Sequence, residues 1–163
     1  MKSPLALLLA LALSSPLAAL AAADAQDHNH GHSQAAPQKL TLNAGKKWGT
    51  DEALRQAMSS IHASVKQTLP AAHAGKATAA DYDAFGKGVT AQITYIVENC
   101  KLDPQADEQL HLIVANMMNG VEAAEGKHGE PQRASGVVEV AQAANAYGKH
   151  FAHAGWKSIK LPH

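Results

Sequence analysis

Apolar positions recur at helical spacing in four separate stretches of this chain. Leu54, Met58, Ile61, Val65 and Leu69 form the first stripe. Thr50 is placed to cap it, with acidic Asp51 and Glu52 in the first turn, and Pro70 is expected to stop it. Residues 71–77 read as a loop. Thr78 and Asp81 then form a capping box before the stripe Tyr82, Phe85, Val89, Ile93, Ile96 and Cys100. Gly86 and Gly88 weaken that helix or admit a close neighbour. Asp103-Pro104 opens a third helix carrying Ala106, Leu110, Ile113, Met117, Val121 and Ala124. After a loop over 126–136, a fourth carries Val137, Val140, Ala144, Tyr147 and Phe151, and Gly155 is expected to end it. No stretch sustains a strand's alternation and no segment repeats. The pattern predicts an all-α protein, an up-down-up-down four-helix bundle over residues 50–163.

The first 25 residues have a different texture. Lys2, the apolar run Leu5 to Leu13 and the small residues Ala18 to Ala25 have the order of a secretory signal peptide, with cleavage expected after Ala23 or Ala25. The apolar run is too short to span a bilayer, so no membrane insertion is expected after cleavage. In a bacterium this reading makes the protein periplasmic. Residues 26–49 follow as a polar tail and linker containing His28, His30 and His32. If cleavage follows Ala25, the terminus Gln26-Asp27-His28 offers an amine, two amides and an imidazole in the arrangement that square-planar Cu(II) or Ni(II) takes.

Charge excludes one class of partner. The chain has 14 basic and 14 acidic residues, and loss of Lys2 leaves it near neutrality. There is no electrostatic footprint for nucleic acid or an anionic membrane. Cys100 is the only cysteine, so no internal disulfide is available to an exported chain that would ordinarily use one. The thiol is therefore inert packing, an intermolecular bridge or a ligand.

The predicted topology concentrates the chemistry. In an antiparallel bundle the starts of helices one and three lie beside the ends of helices two and four. Met58, Cys100, His111, His150 and His153 all fall toward that end, with His62 one turn deeper than Met58. Trp48 and Trp156 flank the same end. Each has an ordinary alternative: Met58 and Cys100 as core packing, the histidines as hydrogen-bonded structural groups. Thiolate and thioether favour Cu(I), while imidazole also suits Cu(II) and Zn. The expectation is a metal-binding protein concerned with copper, with Met58, Cys100 and His111 as preferred ligands and His62 and His150 as alternatives. The tail histidines would capture metal. No G-x-S-x-G, H-E-x-x-H or phosphate-binding glycine loop is present, so no enzyme is expected. A Cys100–His111 nucleophile pair has no accompanying acid or oxyanion pattern.

Several motifs carry a resemblance. Lys47-Trp48, Thr50-Asp51-Glu52, Leu54-Arg55, Asn99-Cys100-Lys101-Leu102, Pro104, Ala106-Asp107, Leu110-His111 and His153 with Gly155-Trp156 resemble a poorly characterised family of small exported bacterial helical proteins. That resemblance covers most of the chain after the tail and implies one periplasmic helical domain. At the start of its final motif this chain has Ala154 where the family pattern has proline. A looser topological resemblance is to bundles of the cytochrome b562 type. It implies a haem b electron carrier with Met58 and His150 as axial ligands; the chain has no C-x-x-C-H for covalent attachment. A cofactor-free bundle that binds a protein partner is the remaining alternative, and the sequence does not identify that partner.

Overall fold

Four helices account for most of residues 39–161, the part of the chain that the computed structural model describes. They are α1 (Glu52–His73), α2 (Ala79–Asn99), α3 (Pro104–Ala124) and α4 (Arg133–His150), with a single 3-10 turn, Glu130–Gln132, leading into α4. Residues 1–25, expected as a signal peptide, and His28, His30 and His32 lie outside the described residues. Each helix packs on its chain neighbour and α4 closes back onto α1, so the four form a ring around one core. With such short connections, this is the expected four-helix bundle.

The predicted stripes are the buried faces. Every apolar position named above is buried in its helix except Cys100, which is half-buried at the α2 C-cap. The α3–α4 contact depends on two glycines. A Cβ on Gly136 would strike the backbone of Gly120 and Ala124, and one on Gly120 would strike Gly136 and Val140. Missing side chains therefore let the two backbones approach closely. Arg133 joins three elements there, donating to the Ala124 carbonyl that ends α3 and to Asp83 of α2, while pairing with Glu130.

The helix ends differ from expectation in four places. Asp51, not Thr50, caps α1: its carboxylate accepts from the Leu54 amide at 2.7 Å. Thr50 instead donates its hydroxyl to the Ala152 carbonyl. Pro70 does not stop α1, which continues to His73. The 126–136 loop is shorter than expected because Glu130–Gln132 is already helical and α4 begins at Arg133. At its other end α4 stops at His150, before Gly155, as Phe151 turns extended. The capping box of Thr78 and Asp81 and the Asp103-Pro104 start of α3 are as expected.

What ends α4 is a backbone bridge to the segment before α1. The Trp48 amide donates to the His150 carbonyl and the Ala152 amide to the Trp48 carbonyl, both at 2.8 Å. Trp48 is buried, and its indole N–H donates to the Thr41 carbonyl. The Thr41 amide in turn donates to Gln109 of α3. Residues 39–49, expected as linker, are thus packed on the bundle. Beyond α4 the chain folds back, and Ile159 is held by a two-bond clamp with Asn145. Among the described residues no helix is long and apolar enough to cross a membrane.

Candidate functional site

Asp51 joins two helix ends. Besides capping α1, its carboxylate accepts the Lys101 amide at 2.5 Å and faces the Cys100 thiol at 3.6 Å. The convergence expected of the start of α1 and the end of α2 is therefore real, and its centre is an aspartate the sequence placed only in a helix's first turn. Burial acts to raise the Asp51 pKa, but the amides of Lys101 and Leu54, the thiol and Arg55 together hold it below the ordinary carboxylate value. The same contact works the other way on sulfur. Burial and then the negative charges of Asp51 and Asp107 push the Cys100 thiol up to about 12. Cys100 is protonated at neutral pH, which disfavours it as a nucleophile.

A cavity of about 310 Å³ opens beside this thiol, between α2 and α3. Ile96, Val97 and Cys100 form one wall and Asp107, Leu110, His111 and Val114 the other. Val97 is 75% exposed, an unusual position for a large aliphatic side chain. His111 stands at the rim. Its Nδ1 lies 2.9 Å from the Asp107 carbonyl, an acceptor only, and 3.4 Å from the Asp107 carboxylate. Nδ1 must carry the hydrogen, which leaves the Nε2 lone pair of the neutral ring available. Asp107 is the residue that sequence reasoning missed here. The signal was its position four residues before His111, on the same helix face.

A second group lies between α1 and the segment that follows α4. His62 and His153 flank Trp156, with ring centroids 4.9 and 5.0 Å from it, and Trp156 meets Tyr147 edge to face. The His62 Nε2 lies 2.8 Å from the Lys157 carbonyl, so it donates. Tyr147, fully buried, is 3.0 Å from His153 Nδ1. Burial keeps the phenol protonated by raising its pKa. If it did not donate to His153, its hydrogen would be buried without a partner. His153 Nδ1 is therefore the acceptor, and burial, with the charges of Arg55 and His62, lowers the pKa of this imidazole.

The remaining candidates are placed as follows. Met58 has no exposed surface, sits in the core and lines neither of these spaces. His150 is half-buried with Nδ1 directed at the Ala146 carbonyl. A haem held by Met58 and His150 requires a slot reaching the Met58 sulfur, and the closed core around it provides none in this conformation; the residues present do not fit that group. Cys100 and His111 share a cavity, whereas Met58 and His62 do not join them. Among the described residues, no three His, Cys, Asp or Glu side chains stand close enough to hold one ion together. No protein family, curated protein or solved structure matches the chain.

Proposed function

We propose that this is an exported copper-binding protein that takes Cu(I) between Cys100 and His111. The observation that carries the reading is that one cavity has a thiol on one wall and, on the other, an imidazole with its Nε2 lone pair free. Cu(I) accepts two ligands in a near-linear arrangement, so it does not need the three-group cluster that zinc or Cu(II) would. Sulfur and imidazole suit it. The Asp107 carbonyl and carboxylate fix the His111 tautomer, a role ligating histidines commonly require of a neighbour. Asp51 holds the thiol proton until metal displaces it, and keeps its two amide donors afterwards.

Met58 is assigned to packing, and His62 to holding the C-terminal segment. His28, His30 and His32 act as a capture tail. Export to the periplasm rests on the leader pattern of the first 25 residues.

The test is Cu(I) competition against a colorimetric chelator, using protein in which His28, His30 and His32 are alanine. One Cu(I) should remain bound, and Cys100→Ser and His111→Ala should each weaken it about a hundredfold. Asp107→Asn should weaken it about tenfold, because its carboxylate no longer helps hold the His111 ring. Absence of Cu(I) from the tail variant, or unchanged affinity in both ligand variants, would overturn the reading.

A further inference from the structure

The cleft between α1 and the C-terminal segment has a chemistry opposite to that of the copper cavity. It encloses about 270 Å³ and is lined by Ser59, His62 and Lys66 of α1 and by His153, Trp156 and Lys157 across from them. Two lysines and two histidines are among the lining residues, and no carboxylate lines the space. Among the described residues, neither Lys66 nor Lys157 has an acidic partner within salt-bridge distance. We infer that this cleft binds a small doubly charged oxyanion of the phosphate class, either free or as the end group of a small molecule.

Three features organise the site. Ser59, His62 and Lys66 are spaced three and four residues apart, which places them on one face of α1. Across the cleft, Tyr147 donates to His153 Nδ1, so the neutral ring carries its hydrogen on Nε2. That Nε2 has only the Ser59 hydroxyl near it, at 3.5 Å. A donor with so distant a partner retains most of its hydrogen-bonding capacity for an oxygen placed in the cleft. Meanwhile His62, bonded to the Lys157 carbonyl and edge-on to Trp156, fixes the distance between the two walls.

The sign of the charge decides between ligand classes. A cation entering here would face Lys66 and Lys157, and the two neutral rings would offer it only the His62 Nδ1 lone pair, since His62 Nε2 and His153 Nε2 carry hydrogen and His153 Nδ1 accepts from Tyr147. An oxyanion would find the His153 N–H and the Ser59 hydroxyl, with two lysines among the lining residues to supply positive charge. Charge-assisted bonds of this kind are the stronger class of hydrogen bond. The indole of Trp156 forms the apolar part of the wall and could carry the organic portion of a phosphate monoester.

The experiment follows Trp156 fluorescence during titration with inorganic phosphate and with glycerol phosphate at constant ionic strength, which removes general screening. Saturable change is expected with at least one, and the better binder identifies the source. Lys66→Gln and Lys157→Gln, both at exposed positions, should each weaken binding about tenfold while helical circular dichroism is unchanged. His153→Phe should weaken binding in the same assay, because it removes the Nε2 donor while keeping a ring. No response to either anion, or a response equal in both lysine variants, would overturn the site. Cu(I) affinity should not change in the lysine variants, so failure here is distinguishable from failure of the copper reading.

Discussion

The Cys100 thiol donates to the Asp51 carboxylate at 3.6 Å, across the junction of two helix ends. The carboxylate is more useful there than a neutral acceptor would be. It satisfies one amide from α1 and one from the chain leaving α2 while also facing the thiol. The charge that secures these helix ends also adds to the burial that suppresses the reactivity of the sulfur.

Removing that charge should release part of the suppression. Asp51→Asn keeps an oxygen for the Leu54 amide but deletes the anion, so the Cys100 pKa should fall from about 12. It should stay above the ordinary 9.0, because burial is the larger cause and persists. The check is the pH midpoint of thiol alkylation, which reports ionisation separately from access. A midpoint that stays put in the variant would mean that Asp51 does not act on the sulfur.

Two glycine substitutions should have opposite signs. Gly136→Ala forces a methyl group into the backbone of Gly120 and Ala124. The α3 and α4 backbones must separate, destabilising the bundle by about 3 kcal/mol. Gly88 lies within α2 with open space where its Cβ would be. Gly88→Ala should stabilise by roughly 0.5–1 kcal/mol through helix propensity. Urea unfolding monitored by helicity measures both, and equal effects would contradict the close α3–α4 approach.

Stability should decline toward both ends of the pH range, for identifiable reasons. The folded pKa of His153 is lowered from 6.5, so the unfolded chain takes up the proton first and stability falls as pH drops below that value. Asp51, also lowered, adds a loss beginning below its ordinary 3.8. On the alkaline side the raised Cys100 pKa gives stability that is complete below 9.0 and lost as pH rises toward about 12. In thermal melts across pH, His153→Gln should flatten the first acid limb, and Cys100→Ser should remove the alkaline loss that begins near 9.0, leaving the part that the raised Tyr147 pKa adds above 10.0. Unchanged limbs in both variants would reject these assignments.

The stripes were legible because burial on a helix follows a period of 3.6 that any sequence displays. Leu54 through Leu69 needed no structure to be found. Helix ends were less legible, since they depend on partners distant in the chain. Thr50 is an excellent cap by type, yet its hydroxyl is taken by Ala152, and the adjacent Asp51 does the capping. Pro70 fails to stop α1 because a proline near a helix's end sacrifices only one backbone bond, and the last turn still closes with the Ala74 amide on the Pro70 carbonyl. For the candidate site, topology correctly gathered Cys100 and His111 at one end. It did not separate Met58, which faces the core, from His111, which is 73% exposed at the rim. The oxyanion cleft was not legible, because the segment after Phe151 that forms half of it has no periodic pattern to read.

If Cys100 ligates Cu(I) as proposed, copper binding should be coupled to one proton from sulfur. Cys100 holds its hydrogen throughout the neutral range, with a pKa near 12, and Cu(I) requires the thiolate. Each bound ion must therefore expel that proton, and apparent affinity should rise about tenfold per pH unit between pH ~7 and ~9. An ordinary thiol would begin to lose this dependence near its own pKa of 9.0; this one should not. Asp51→Asn supplies the contrast: with a lower thiol pKa it should bind Cu(I) more tightly at neutral pH and show the slope levelling off earlier. Competition titrations at several pH values, run on protein with the three tail histidines replaced, measure both slopes. A flat dependence in the parent protein would remove Cys100 from the ligand set and leave its thiol as a hydrogen-bonded partner of Asp51.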